Sequence, residues 1–206
     1  MNQTDLAKDL AYVRDLAEAG QSAPLLGGRF LAMWGVLVTV AYSGHYAIAS
    51  GVSGLPSVAY AWLWGGFIVL GVFGTFVARR GIGRKPGTNS IGNRTEATVW
   101  MAGGFALFAF FGATTLKSLA DGEASDGFVR SLPIVFAVYG TGLITSGLAG
   151  KSRILVSAGY GSLLMIALAV WFEGTMTTWL VAALAAFLTL FVPGVIMMRN
   201  EPRNVV

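Results

Sequence analysis

The sequence predicts an all-α, polytopic membrane protein with six transmembrane helices preceded by a cytoplasmic amphipathic helix. Three observations carry that expectation. The 206-residue chain is 55% hydrophobic and only 12% charged, against about 25% charged in soluble domains. Its apolar residues fall into six runs of about 20, the length a helix needs to cross roughly 30 Å of hydrocarbon. Its basic residues gather at alternate ends of those runs, which is the mark of membrane topology. Glycine occurs 28 times, which suits membrane helices that pack backbone to backbone.

Taken in order, residues 4–19 read as a surface helix. Leu6, Leu10, Val13 and Leu16 recur at helical spacing. Thr4 stands at the N-cap position, Asp5 in the first turn, and Gly20 at the stop. The charges Asp5, Lys8, Asp9, Arg14, Asp15 and Glu18 sum to −2. Helices that bind anionic lipid are normally basic. The stripe is therefore either a lid packed on its own bundle or a face for docking a protein partner. Residues 1–28 form this helix and its linker, 29–199 the membrane domain, and 200–206 a tail.

The six apolar segments are residues 30–49, 56–78, 97–116, 128–149, 154–172 and 175–198. Arg79, Arg80, Arg84, Lys85 and Arg94 follow the second, Lys151 and Arg153 the fourth, and Arg199 and Arg203 the sixth. With Lys8, Arg14 and Arg29, this puts 12 of the 14 basic residues on one side. Both termini are then expected in the cytoplasm, as an even number of crossings also requires. Trp34 and Trp100 fall near one boundary and Trp171 and Trp179 near the other, as in aromatic belts.

Small residues at four-residue spacing mark Gly142, Ser146 and Gly150 in the fourth segment. Ser157 and Gly161 do the same in the fifth. Such faces let helices four and five pack closely across the Lys151 turn, or serve a homo-oligomer. His45 is the one histidine. It lies about 24 Å beyond Arg29 along a helix, near the far interface, with Tyr42 one turn earlier. Its alternatives are a structural hydrogen bond and a ligand-contact or pH-sensing role. Tyr139 and Tyr160 stand among hydroxyl residues of segments four and five, where a polar cluster competes with ordinary bonds to backbone carbonyls.

Several chemistries are excluded or lack support. There is no cysteine, hence no disulfide or thiolate site. One histidine cannot supply two axial ligands to a haem. In GIGRKPGTNSIGNR, Lys85 is followed by Pro86, which breaks the P-loop pattern. The loop DGEASDG lacks EF-hand spacing. No acid adjoins His45 to build a hydrolytic triad, and the apolar segments hold no carboxylate pair for proton coupling. No cofactor, metal or nucleic acid is expected.

The run LAYVRDLAEAG, then APLLGGRF, Trp34-Gly35, Tyr42 and His45 resembles a group of short, uncharacterised bacterial six-span inner-membrane proteins. Their acidic N-terminal amphipathic helix joins such a first span. The likeness covers the first quarter of the chain. It implies a bacterial inner (plasma) membrane and assigns no site. The leading functional expectation is a non-enzymatic accessory or regulatory protein recruiting a partner through its N-terminal helix. The alternative is a small permease or carrier for an uncharged or lipophilic solute.

Overall fold

A long apolar run in lipid must satisfy every backbone hydrogen bond within itself, which leaves the helix as its structure. Six runs do so in the computed structural model, which describes residue 10 and residues 23–85, 87–123 and 126–201. The expected N-terminal amphipathic helix and residues 202–206 lie outside the described residues.

The first span is α1 (Gly28–Ala49) and the second α2 (Ala59–Arg79). A short 3-10 turn (Ile82–Arg84) leads to α3 (Ile91–Asp121), then α4 (Asp126–Val129), α5 (Leu132–Ala149) and α6 (Arg153–Trp171). The sixth span, Thr177–Asn200, is α7 (Thr177–Ala186), a π turn (Phe187–Phe191) and α8 (Val192–Asn200). All six spans are long and apolar enough to cross a membrane.

Local chemistry sets the boundaries. Ser90 caps α3 by accepting a hydrogen bond from the Asn93 N–H. That start lies six residues before the apolar run expected from 97. Gly122, at φ 72°, ends α3 in the left-handed conformation. The α5–α6 turn closes with Ser152 N–H donating to the Gly147 carbonyl and Lys151 N–H to that of Leu148. This is a Schellman arrangement with lysine, at φ 53°, where glycine is usual. Pro193 cannot donate to the ladder and its ring crowds the preceding turn, which accounts for the π turn just before it.

The spans pack in the order α2, α1, α7–α8, α6, α5, α3, with the α5–α6 contact the most extensive. Phe136, Leu143, Leu155, Met165 and Leu190 fill the centre. The peripheral spans α2 and α3 turn Ile68, Phe73, Phe76, Phe105 and Phe108 outward. An apolar outer face is what contact with lipid requires.

Glycine determines the close approaches. A Cβ at Gly194 would strike the backbone of Ala32, and one at Gly35 would lie 2.7 Å from Phe191 Cα. The α5–α6 seam runs through Gly140, Gly147 and Gly159, where a Cβ at Gly159 would lie 2.9 Å from the Gly140 carbonyl oxygen. The expected faces sit elsewhere. Gly142 receives the Trp100 ring, Gly150 receives Leu25, and Ser157 and Gly161 are exposed. Ser146 is fully buried, with its hydroxyl unpaired among the described residues.

Replacing Gly194 by Ala is expected to destabilise the bundle by about 1–3 kcal/mol, because the methyl group overpacks the Ala32 backbone. At Gly65 an added methyl meets nothing within 4 Å. Gly65→Ala should therefore gain up to about 1 kcal/mol of helix propensity. Equilibrium unfolding in mixed micelles measures both. Equal stabilities would show that the α1–α8 contact does not hold the fold.

Candidate functional site

The polar chemistry of the structure concentrates where the chain enters α1. Asn93 lies in the first turn of α3, 8% exposed. Its side-chain oxygen accepts from the Leu26 N–H at 2.8 Å. Its amide nitrogen donates to the carbonyls of Pro24 at 3.0 Å and Gly87 at 2.9 Å. The Ser90 hydroxyl, 3.0 Å away, shares the same donor group. One buried amide thus joins the residues before α1 to the loop before α3.

Glu96, less than one further turn along, accepts the Gly27 N–H at 3.1 Å. Its carboxylate meets the start of α1, where unpaired N–H groups favour negative charge. A side chain at Gly27 would overlap that carboxylate and displace it. Leu25 and Leu26 are buried beside it. Leu25 fits a slot whose sides are Gly92 on α3 and Gly150 after α5.

Glu201 closes the cluster from the end of α8. Its Oε2 accepts from Arg29 Nε at 3.3 Å and Nη2 at 3.2 Å, and pairs with Lys85. Its Oε1 is buried with no partner among the described residues. Breaking a buried pair costs more than the pair's own net worth. The cluster therefore specifies which chain ends meet. Lys85, in the loop between α2 and α3, points inward to this carboxylate.

At the opposite end His45 sits among aromatic rings. It stacks on Trp179 with ring centroids 3.7 Å apart and planes at 26°. Trp64 Nε1 donates to His45 Nδ1 at 3.3 Å, which leaves the neutral ring's proton on Nε2. Tyr60 lies 4.6 Å from the imidazole centroid. Tyr42 is buried and tilts against Trp64 and Trp179. Trp179 is thus an inward packing residue, whereas Trp171 is exposed as an interfacial tryptophan would be. Trp34 packs on Gly71 and Phe67, and Trp100 on Gly142.

The hydroxyl residues of segments four and five do not converge. Tyr139 lies near Trp100 and Phe136, while Tyr160 is exposed. Ser162 donates to the Phe136 carbonyl at 3.2 Å, an interhelical bond. Leu10 is exposed, while Leu6, Val13 and Leu16 lie outside the described residues. Among the described residues no three His, Asp or Glu side chains gather as a metal site.

Sequence reading passed over Asn93 and Glu96. The available signal was an amide and a carboxylate three residues apart at the mouth of an apolar run, behind a serine cap. No protein-family model, curated protein or solved structure matches the chain.

Asn93→Ala leaves the Leu26 N–H and Pro24 carbonyl buried without this partner, and is expected to cost about 1–3 kcal/mol. Amide exchange at residues 25–27 should rise with it. Asn89→Ala, at an exposed position, should stay within about 0.5 kcal/mol. Unchanged exchange in Asn93→Ala would show that the clamp is held by other contacts.

Proposed function

We propose that the protein is a non-enzymatic accessory or regulatory component of a bacterial inner membrane, with both termini in the cytoplasm. Its N-terminal segment recruits a protein partner from a fixed point on the bundle. The observation that carries this reading is the attachment of Pro24, Leu26 and Gly27 to Asn93 and Glu96. A recruiting segment on a loose tether samples every direction, whereas one rooted by buried hydrogen bonds leaves the membrane at a defined place.

Five further observations support it. Leu10 is 63% exposed, although a lid on the bundle would cover it. The segment that bears the stripe of Leu6, Leu10, Val13 and Leu16 has a net charge of −2, so anionic headgroups offer it no attraction. Phe136, Leu143, Leu155 and Met165 close-pack the centre of the bundle, which favours a scaffold over a conduit. His45 is engaged by Trp64 and Trp179, contacts that fit a packing role. Arg29, Arg79, Arg80, Lys151 and Arg153 gather at the clamp end, and the bias of basic residues toward the inner side supports a cytoplasmic clamp end.

Recruitment is tested with a photo-crosslinking residue at Leu16 of the full-length protein in cells. The expected result is one adduct with another protein, lost when Leu6→Asp and Leu10→Asp are introduced, while melting temperature and membrane level stay unchanged. Adducts confined to the protein's own helices, with a large loss of stability in the double variant, would make the segment a lid. Sidedness is tested separately with Ser53→Cys and Gly83→Cys. An impermeant thiol reagent applied to intact cells should label the first and spare the second. The reverse pattern would invert the orientation.

A further inference from the structure

Two of the three connections at the end opposite the clamp carry charge. Asp121, Glu123, Asp126 and Arg130 stand between the last turn of α3 and the start of α5, and Glu173 between α6 and α7. The third joins α1 to α2 and carries none. From Phe30 to Ala78, a run of 49 residues, there is no Asp, Glu, Lys or Arg.

What this connection carries is apolar and uncovered. Residues 51–58 are all exposed, Val52 by 79%, Leu55 by 56% and Val58 by 58%. A Cβ at Gly51 or Gly54 would meet nothing within 4 Å, so the turn stands clear of the bundle. Val58 also begins a row that continues along α2 as Trp62, Val69, Phe73 and Phe76, each exposed and at helical spacing. The outer face of α2 is suited to lipid, and the turn prolongs it.

The backbone of the turn is prepared for a dry environment, where a segment must satisfy its own N–H groups. The N–H of Ser50 donates to the Tyr46 carbonyl, that of Gly51 to Ile48, that of Ser53 to Ala47 and that of Gly54 to Gly51. The Leu55 N–H donates to the Ser53 hydroxyl, and Pro56 has no N–H to satisfy. Gly51 and Gly54, at φ 75° and 65°, supply the left-handed positions that close the turn. Depth agrees. The 22 residues of α1 rise roughly 33 Å, about the thickness of the hydrocarbon core. With Arg29 and Arg79 at one boundary, residues 50–58 lie at the other.

We infer that the α1–α2 turn is a wedge in the lipid surface opposite the clamp, with Val52, Leu55 and Val58 inserted among the acyl chains just beneath the headgroups. Being uncharged, the wedge recognises acyl chains and not headgroup charge. The inference holds for either orientation of the bundle and does not rest on recruitment. The headgroup layer above is hydrated, so a thiol at position 53 still meets an aqueous reagent.

The chain has no cysteine, so nitroxide labels on Leu55→Cys and, for comparison, Glu123→Cys each report on one site of the full-length protein in nanodiscs. Collisions with oxygen, which partitions into lipid, and with a water-soluble nickel chelate give the depth of each label. The label at position 55 should favour oxygen and lie about 5–10 Å into the headgroup–acyl boundary, equally in zwitterionic and anionic discs. The label at position 123 should favour nickel. Adding Val52→Asp and Val58→Asp, both at exposed positions, should abolish the oxygen preference at position 55 and leave the melting temperature unchanged. The aspartates separate insertion of the turn from insertion of the label alone. Nickel access at position 55 equal to that at 123 would put the turn in water and overturn the inference. So would exclusion of both reagents, which means that protein covers the turn, or an oxygen preference that survives both aspartates.

Discussion

Direct backbone contact at glycine holds the centre of this bundle together. In lipid an apolar side chain gains little by leaving one hydrocarbon neighbour for another, so helices associate through the closeness of their contact. Gly28, Gly35 and Gly194 bring α1 onto the sixth span, and Gly140, Gly147 and Gly159 bring α5 onto α6. The periphery uses glycine differently. Gly71 receives Trp34, Gly74 receives Met33, Gly103 faces Val138, and Gly142 receives Trp100. Backbones meet in the middle, while large side chains fit into glycine sockets around it.

Polar contacts between distant parts of the chain fall mostly at the two ends. At one, Asn93, Glu96 and Glu201 take hydrogen bonds from residues 26–29 and from Lys85. At the other, Arg130 pairs with Glu173 across the α5 start and the α6–α7 turn. Elsewhere interhelical hydrogen bonds run from Ser162 to the Phe136 carbonyl, from Trp64 to His45 and, at 3.5 Å, from Thr39 to the Ala183 carbonyl. Glycine seams fix how the spans lie against each other, and the polar ends fix which chain ends belong together.

The six spans were legible because length and hydropathy are properties of each segment alone. So was the close pairing of α5 and α6 across a short turn. The faces used were not. Small residues at four-residue spacing establish a stripe but not its direction, and a helix apolar on every side has no periodicity to orient it. Gly140, Gly142 and Gly147 lie within two turns, and only the neighbours decide which faces α6 and which Trp100. His45 shows the same limit. Its depth followed from counting residues, but Trp64 and Trp179 lie 19 and 134 positions away. The N-terminal amphipathic helix remains an expectation, since its residues fall outside those described.

The seam between α1 and α8 also dictates an order of manufacture. Ala32 and Gly194 touch, yet 162 positions separate them. At about 5–20 residues per second, translation leaves the first span waiting on the order of 10–30 s for that contact. During that interval α2 can already seat Gly71 against Trp34. The glycine face of α1, however, has only lipid or a chaperone against it. A ribosome that stopped before residue 177 would release five spans with that face uncovered. Only the arrival of the sixth span, with Gly194 against Ala32, covers it.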